Sequence, residues 1–147
     1  MKNQEITIKI RHDESDRQGC VHHTCFPIYM EEGRFELMKK LRFDSRKFED
    51  SGGAILVTEL KISFYFPVNY GDELNIKTTL YDIQESTMRF VYIMYNQIGN
   101  LVAKANTTFL CTSIKSGKNT SNLKDYFGSL ENKLKEHVQE KYEFKGI

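Results

Sequence analysis

Ile6, Ile8 and Ile10 alternate with Thr7, Lys9 and Arg11, a period of two that predicts a half-buried strand running into a polar stretch from His12 to Gln18. The period then changes. Phe26, Tyr29, Met30, Gly33, Leu37, Met38 and Leu41 fall at three- and four-residue steps, with Glu31, Glu32, Arg34, Lys39 and Lys40 on other faces, which predicts one long helix over 24–41. Pro27 suits its first turn, where a missing N–H is harmless, so free helix amides should lie beside the 12–23 loop. After Asp50-Ser51-Gly52-Gly53, the residues Leu56, Thr58, Leu60, Ile62, Phe64 and Phe66 alternate up to Pro67 and predict a long strand with those six on one face. Asn69-Tyr70-Gly71-Asp72 reads as a turn, and strands follow over 74–80, 88–95 and 101–114, the last two joined at Gly99-Asn100.

One strand, one long helix and four strands joined by short turns predict an antiparallel meander under a helix, a two-layer α+β domain. Leu123, Tyr126, Phe127, Leu130, Leu134 and Val138 then repeat at helical spacing across Gly128, so a C-terminal helix is expected. The chain divides into a main unit over 1–116 and a helical extension of the same domain over 117–147. The strands 54–66 and 101–114 leave ladder groups that must pair or be covered, which favours an isologous homodimer at minimum.

A chain of 147 residues is the size of one domain. Lys and Arg number 21 against 20 for Asp and Glu, a formal net charge of +1, too balanced for a general nucleic-acid binder. The first residues lack the apolar core of a signal peptide, and the longest apolar stretch, 90–95, falls far short of the ~18 residues of a membrane span. Three cysteines without dense spacing fit a reducing compartment, and the cytoplasm is the expected location.

Candidate chemistry is concentrated in Arg11-His12-Asp13-Glu14-Ser15-Asp16-Arg17-Gln18-Gly19-Cys20-Val21-His22-His23-Thr24-Cys25-Phe26. Four readings compete. Cys20, His22, His23 and Cys25 supply zinc-ligand types, but adjacent histidines diverge on extended backbone and the paired spacing of common sites is absent, so no metal is expected. Cys25 near a helix start, with His23 close by, has the setting of a thiolate nucleophile. Asp13, Ser15 and Asp16 suit a turn in which they simply satisfy backbone amides. Lastly, a single carboxylate, Asp16, beside unpaired helix amides is sufficient to hydrolyse an acyl thioester, whose carbonyl is weakly resonance-stabilised.

The run Arg11-x-x-Glu14-Ser15-Asp16-x-x-Gly19-x-Val21-x-His23-x-x-Phe26 followed by Glu31-x-x-Arg34-x-Glu36 resembles the signature of the 4-hydroxybenzoyl-CoA thioesterase-like, hotdog-fold acyl-CoA thioesterases. The resemblance continues through Leu56 to Pro67 and Gly71-Asp72-Glu73-Leu74, covering roughly residues 4–116. It implies a sheet wrapped around a central helix, dimers or tetramers with active sites shared between subunits, no cofactor, and an acyl-CoA substrate. It also implies that Asp16 is catalytic, that the His23 backbone amide polarises the carbonyl, that Val21 and Phe26 line an acyl pocket, and that Gly19 serves the tight turn. Phe26 stands where many members carry Tyr, and Thr24-Cys25 replaces the commoner small residue and Asn or Ser. Some members place a glutamate on the central helix, which draws in Glu31, Glu32 and Glu36, although Glu31 and Arg34 have the spacing of an ion pair. Arg89, Lys104, Lys115 and Lys118 are candidates for the phosphates of coenzyme A. A hotdog hydratase or dehydratase using His22 or His23 with Asp16, and a noncatalytic acyl-thioester binder, are the competing functions.

Overall fold

The computed structural model describes residues 3–120 and 123–127. Strand β1 spans Asn3–Lys9, helix α1 Phe26–Lys40, helix α2 Ser45–Asp50, β2 Gly53–Phe64, β3 Glu73–Ile83, β4 Thr87–Asn96 and β5 Leu101–Ser113. All strands join one antiparallel sheet in the order β1-β3-β4-β5-β2. The architecture is the expected α+β hotdog arrangement, a curved sheet around one long helix. The expected four-strand meander is a three-strand one, β3-β4-β5: β2 leaves at one edge and the chain crosses to start β3 beside β1. Consequently β5 is interior, and among the described strands β1 and β2 are the edges.

The spacing that predicts α1 holds in detail. Phe26, Tyr29, Met30, Gly33, Leu37 and Met38 are its buried residues, and the helix packs over β1 and β3. It opens from a short 3-10 turn at His23–Cys25, with Pro27 in its first turn, and ends where Leu41 caps it and Arg42 takes φ 57°. Leu74, Ile76 and Leu80 from β3, Met88, Phe90, Tyr92 and Met94 from β4, and Ala103, Ala105 and Phe109 from β5 complete the core.

Gly33 marks the closest approach of α1 to the sheet. A Cβ there would overlap Thr78 Oγ1, and the buried Thr78 hydroxyl has no hydrogen-bond partner among the described residues. Gly33→Ala should therefore destabilise the fold by about 1–3 kcal/mol despite alanine's better helix propensity. Adding Thr78→Ala should restore most of the loss. Urea unfolding midpoints check both, and an unchanged midpoint in Gly33→Ala would show that the helix slides freely.

On β2 the sequence expectation needs correction. The pairing with β5 shifts between Val57 and Glu59, so Thr58 is the extra residue of a bulge. Val57, Leu60, Ile62 and Phe64 stand opposite Phe109, Thr107, Ala105 and Ala103, on the helix side of the sheet, while Leu56 faces out. A bulge flips the alternation, and the simple period of two cannot register it. Helix α1 covers the β1–β3 half of this concave face and α2 meets the start of β2; among the described residues the rest of the β5–β2 half is uncovered. A cleft of about 1050 Å³ opens there, lined among others by Met30, Arg34, Phe35, Ile55, Val57, Leu60 and Phe109.

Helix α2 carries no strong sequence signal beyond Asp44, whose carboxylate accepts from Lys47 N at 2.9 Å. Its one buried residue is Phe48, gathered with Phe43, Tyr126 and Phe127 into an aromatic cluster. Where a C-terminal helix was expected from 123, Leu123–Tyr126 form a single 3-10 turn and Phe127 bridges to Phe43. The remainder of that expected helix lies outside the described residues.

Candidate active site

The loop between β1 and α1 is built as a small antiparallel clasp. Ser15 bridges Val21, Asp16 N donates to Cys20 O at 2.7 Å, and His22 N donates to Glu14 O at 3.0 Å. At the tip Gly19 takes φ 84°, a conformation that favours glycine over any side-chain-bearing residue. The turn before β3 grips the clasp from outside: Val21 N donates to Val68 O at 2.8 Å and Tyr70 N to Gly19 O at 2.8 Å, and Cys20 Sγ lies 3.4 Å from Asn69 Oδ1. Asn69 and Val68 carry no site signal in the sequence. Their only local signal is the turn chemistry of 69–72, which says nothing of a partner fifty residues earlier.

Asp16 is solvent-exposed, and its Oδ1 accepts from Gln18 N at 2.8 Å and Cys20 N at 3.1 Å. The turn role and the chemical role therefore share one carboxylate. Two amides hold Oδ1 and orient the group, and none of the hydrogen bonds found among the described residues uses Oδ2. Where the clasp meets α1, Thr24 N faces His22 Nδ1 at 3.4 Å and Cys25 N donates to His22 O at 3.0 Å. Among the described residues no acceptor pairs with the His23 N–H, the first amide of the turn. Such an amide at a helix start carries partial positive charge and suits an oxyanion.

No hydrogen bond joins Asp16 and His23 among the described residues. Asp16 stands opposite Cys20 and His22 opposite Glu14, a step of two residues along the clasp, about 7 Å at the usual strand rise. The His22 and His23 rings stack, with centroids 4.7 Å apart, and His22 Nδ1 is 2.7 Å from Thr24 Oγ1.

The other candidates separate into near and far. Val21 is half-buried against the core, and Phe26 is buried edge-on to Phe64 at 5.0 Å; neither lines the large cleft. Arg89 pairs with Asp82 and Thr108 at the far end of β3 from the clasp, which bonds to Val68 and Tyr70 just before β3 begins. From Glu73 to Asp82 along the strand is roughly 30 Å at about 3.3 Å per residue. Arg89 also alternates with Met88 and Phe90, which places it on the face away from α1. Lys115 and Lys118 follow the end of β5 at that same far end, where Ile114 N donates to Gly52 O at 2.8 Å. Within one chain, then, neither Arg89 nor Lys115 joins Asp16. Lys104 lies in mid-sheet, 6.0 Å from the Tyr65 ring.

The helix residues also depart from expectation. No Glu31–Arg34 ion pair forms among the described residues; the Arg34 guanidinium lies over the Phe109 ring at 4.4 Å. Burial, and then the charge of Glu14, push the Cys25 thiol above its ordinary pKa, opposite to what a thiolate nucleophile needs. The four zinc-ligand types are spent separately: Cys20 on Asn69, Cys25 on the Glu14 carbonyl at 3.7 Å, His22 on Thr24, and His23 in the ring stack. Among the described residues no three His, Cys, Asp or Glu side chains gather as a metal site, and no described helix is long and apolar enough to cross a membrane.

Comparison with known proteins supplies the family. The chain is 32% identical over 111 residues to the Bacillus subtilis (strain 168) protein named "Putative acyl-CoA thioesterase YneP", covering 76% of this chain and 80% of that one. It is 28% identical over 130 residues to the acyl-acyl carrier protein thioesterase ATL2 of Arabidopsis thaliana, covering 86% and 69%. The DHNA-CoA thioesterase of Staphylococcus aureus shares the fold, with a TM-score of 0.77 at 22% identity over 94% of this chain and 89% of that one. The family model of the Thioesterase-like superfamily matches residues 10–140, a span holding the whole clasp, α1 and the sheet from β2 onward, and the chain belongs to that superfamily.

Proposed function

We propose that the protein is an acyl-CoA thioesterase, hydrolysing an acyl-CoA thioester to the free acid and coenzyme A, with Asp16 and the His23 amide as its catalytic groups. The observation that carries this reading is the Asp16 carboxylate, held at Oδ1 by two loop amides, in a clasp that ends on the His23 N–H; among the described residues Oδ2 and that N–H have no hydrogen-bond partner. Family membership and the names of its relatives support the same chemistry.

The thioester carbonyl carbon is electrophilic because sulfur donates little electron density to it. In the proposed reaction the Asp16 Oδ2 either attacks that carbon, giving a mixed anhydride that water then cleaves, or takes a proton from an attacking water. Both routes put negative charge on the carbonyl oxygen, and an amide at a helix start stabilises that charge more in the transition state than in the ground state. The coenzyme A thiolate is the leaving group. The reading includes a site completed by a second chain, with Gly19 and Val21 flanking the carboxylate. The basic residues Arg89 and Lys115 would reach coenzyme A only from that second chain.

A hydratase instead needs an imidazole and a carboxylate converging on the acyl β-carbon. A panel of aliphatic and aromatic acyl-CoA and enoyl-CoA compounds decides the matter. Release of free thiol, read with a disulfide reagent, is the expected result. Loss of enoyl absorbance without thiol release would establish hydration, and binding with neither would establish a noncatalytic binder.

A further inference from the structure

Pro27, Glu31, Arg34 and Met38 follow one another at three- and four-residue steps along α1, and all four line the cleft beside the β5–β2 half of the sheet. That stripe begins in the first turn of the helix, so the cleft runs from the His23 end of α1 toward its C-terminus. The sheet side of the cleft is apolar there, with Met88, Phe109, Val57 and Leu60.

Arg34 is out of keeping with that lining. It is half-buried, and its guanidinium lies 4.4 Å from the centroid of the Phe109 ring and 5.2 Å from that of Phe35. Among the described residues no carboxylate pairs with it. Stacking occupies the face of a guanidinium and leaves the N–H donors at its edge in need of acceptors. A methionine would fill the same place with no charge to desolvate. Thr107 lines the cleft too, two residues before Phe109 on the same face of β5, with its hydroxyl 3.0 Å from the hydroxyl of the buried Tyr92. The cleft's own carboxylates do not answer Arg34: Glu31, Glu32, Glu36 and Glu49 are exposed, where water screens them.

We propose that the cleft takes the acyl chain and that Arg34 is its specificity-determining residue, selecting acyl groups that end in a carboxylate. The inference rests on the thioesterase reading for where the chain begins and adds the class of acyl group. A carboxylate meets the guanidinium fork through two parallel hydrogen bonds, and the aromatic rings hold the plane of the fork so that little freedom is lost on pairing. The spacing sets a length. From His23 to Arg34 run one 3-10 turn and eight helical steps, roughly 18 Å at about 2.0 and 1.5 Å per residue. Helical side chains lean back over the preceding turn, which shortens the gap to about 12 Å. An extended chain advances about 1.2 Å per bond, so the selected carboxylate stands about ten bonds from the thioester carbon. Arg34 is remote from that carbon and acts in binding, hence in KM more than in kcat.

The test uses pairs of saturated acyl-CoA compounds of equal length, one ending in a methyl group and the other in a carboxylate, with chains of about six to sixteen carbons. The wild type should favour the carboxylate-ended member by at least ~10-fold in kcat/KM, most strongly near the length that the spacing sets. Arg34→Gln should lower kcat/KM about 30-fold for the carboxylate-ended chain and far less for the methyl-ended one, whereas a merely structural arginine would lower both alike. Arg34→Lys keeps the charge without the fork and should fall between. A wild type without the preference, or a ratio unchanged in Arg34→Gln, overturns the inference, and the wild-type ratio decides it even where a variant does not fold. Binding supplies a readout independent of hydrolysis: S-alkyl and S-(carboxyalkyl) thioethers of coenzyme A have no bond to cleave, and calorimetry should give the same preference in the wild type and its loss in Arg34→Gln. Absence of thiol release from every acyl-CoA overturns the thioesterase reading, and the thioether ratio then decides on Arg34 alone.

Discussion

Asp16→Asn, assayed on the best acyl-CoA found, should lower kcat by at least ~100-fold, about 2.7 kcal/mol of transition-state stabilisation, with binding and fold retained. The substitution isolates the charge cleanly. An asparagine side-chain oxygen accepts the Gln18 and Cys20 amides as the aspartate Oδ1 does, so the clasp keeps its shape while the free oxygen becomes an uncharged NH2. Asp16→Ala removes both functions and should in addition loosen the loop. Wild-type turnover in Asp16→Asn would end the assignment and direct attention to Glu31 and Glu32 on the helix.

The identity of α1 is written in its own spacing, because one face must bury Tyr29, Met30, Gly33, Leu37 and Met38 whatever the rest of the chain does. The strands β3 and β4 are legible for the same reason, each alternating between core and outer face. What the chain does not write locally is pairing. That β2 lies beside β5 depends on a crossover decided by how the whole concave face closes, and the bulge at Thr58 breaks the alternation from which the facing residues of β2 would be read. The site divides the same way. Asp16, Gly19, Val21 and His23 lie within one short segment, so their joint placement follows from the sequence. Arg89 and Lys115 were singled out by charge, which carries no information on position, and the sheet puts them at its other end. Glu14 is only a letter of the motif in the sequence; that its carboxylate accepts from Arg11 N and its carbonyl from His22 N and Cys25 Sγ requires the fold.

The second large effect concerns assembly. Ile55, Val57, Leu60 and Phe64 on the helix side of β2 are 37%, 59%, 46% and 50% exposed, and Phe35 on α1 across the cleft is 50% exposed. They form a continuous apolar face on a strand whose outer ladder groups pair with no other strand among the described residues. An edge strand of that length and composition is a pairing surface. Burying such side chains contributes roughly 1.5–3 kcal/mol each when burial is complete. A second copy related by a two-fold axis meets every requirement at once: β2 of one chain extends the sheet of the other, and the cleft beside α1 is closed by the same contact. Light scattering should therefore give about twice the 17.2 kDa chain mass, or four times if dimers pair. Val57→Asp combined with Leu60→Glu introduces like charges across that contact at positions that are open in a single chain, so the fold survives while the dimer does not. The variant should run as a monomer and lose at least ~100-fold in kcat/KM, because in the proposed shared site a monomer leaves each Asp16 carboxylate without the opposing chain. A wild-type species of 17.2 kDa with full specific activity on dilution, or a monomeric variant that turns over normally, would show that one chain makes the whole site.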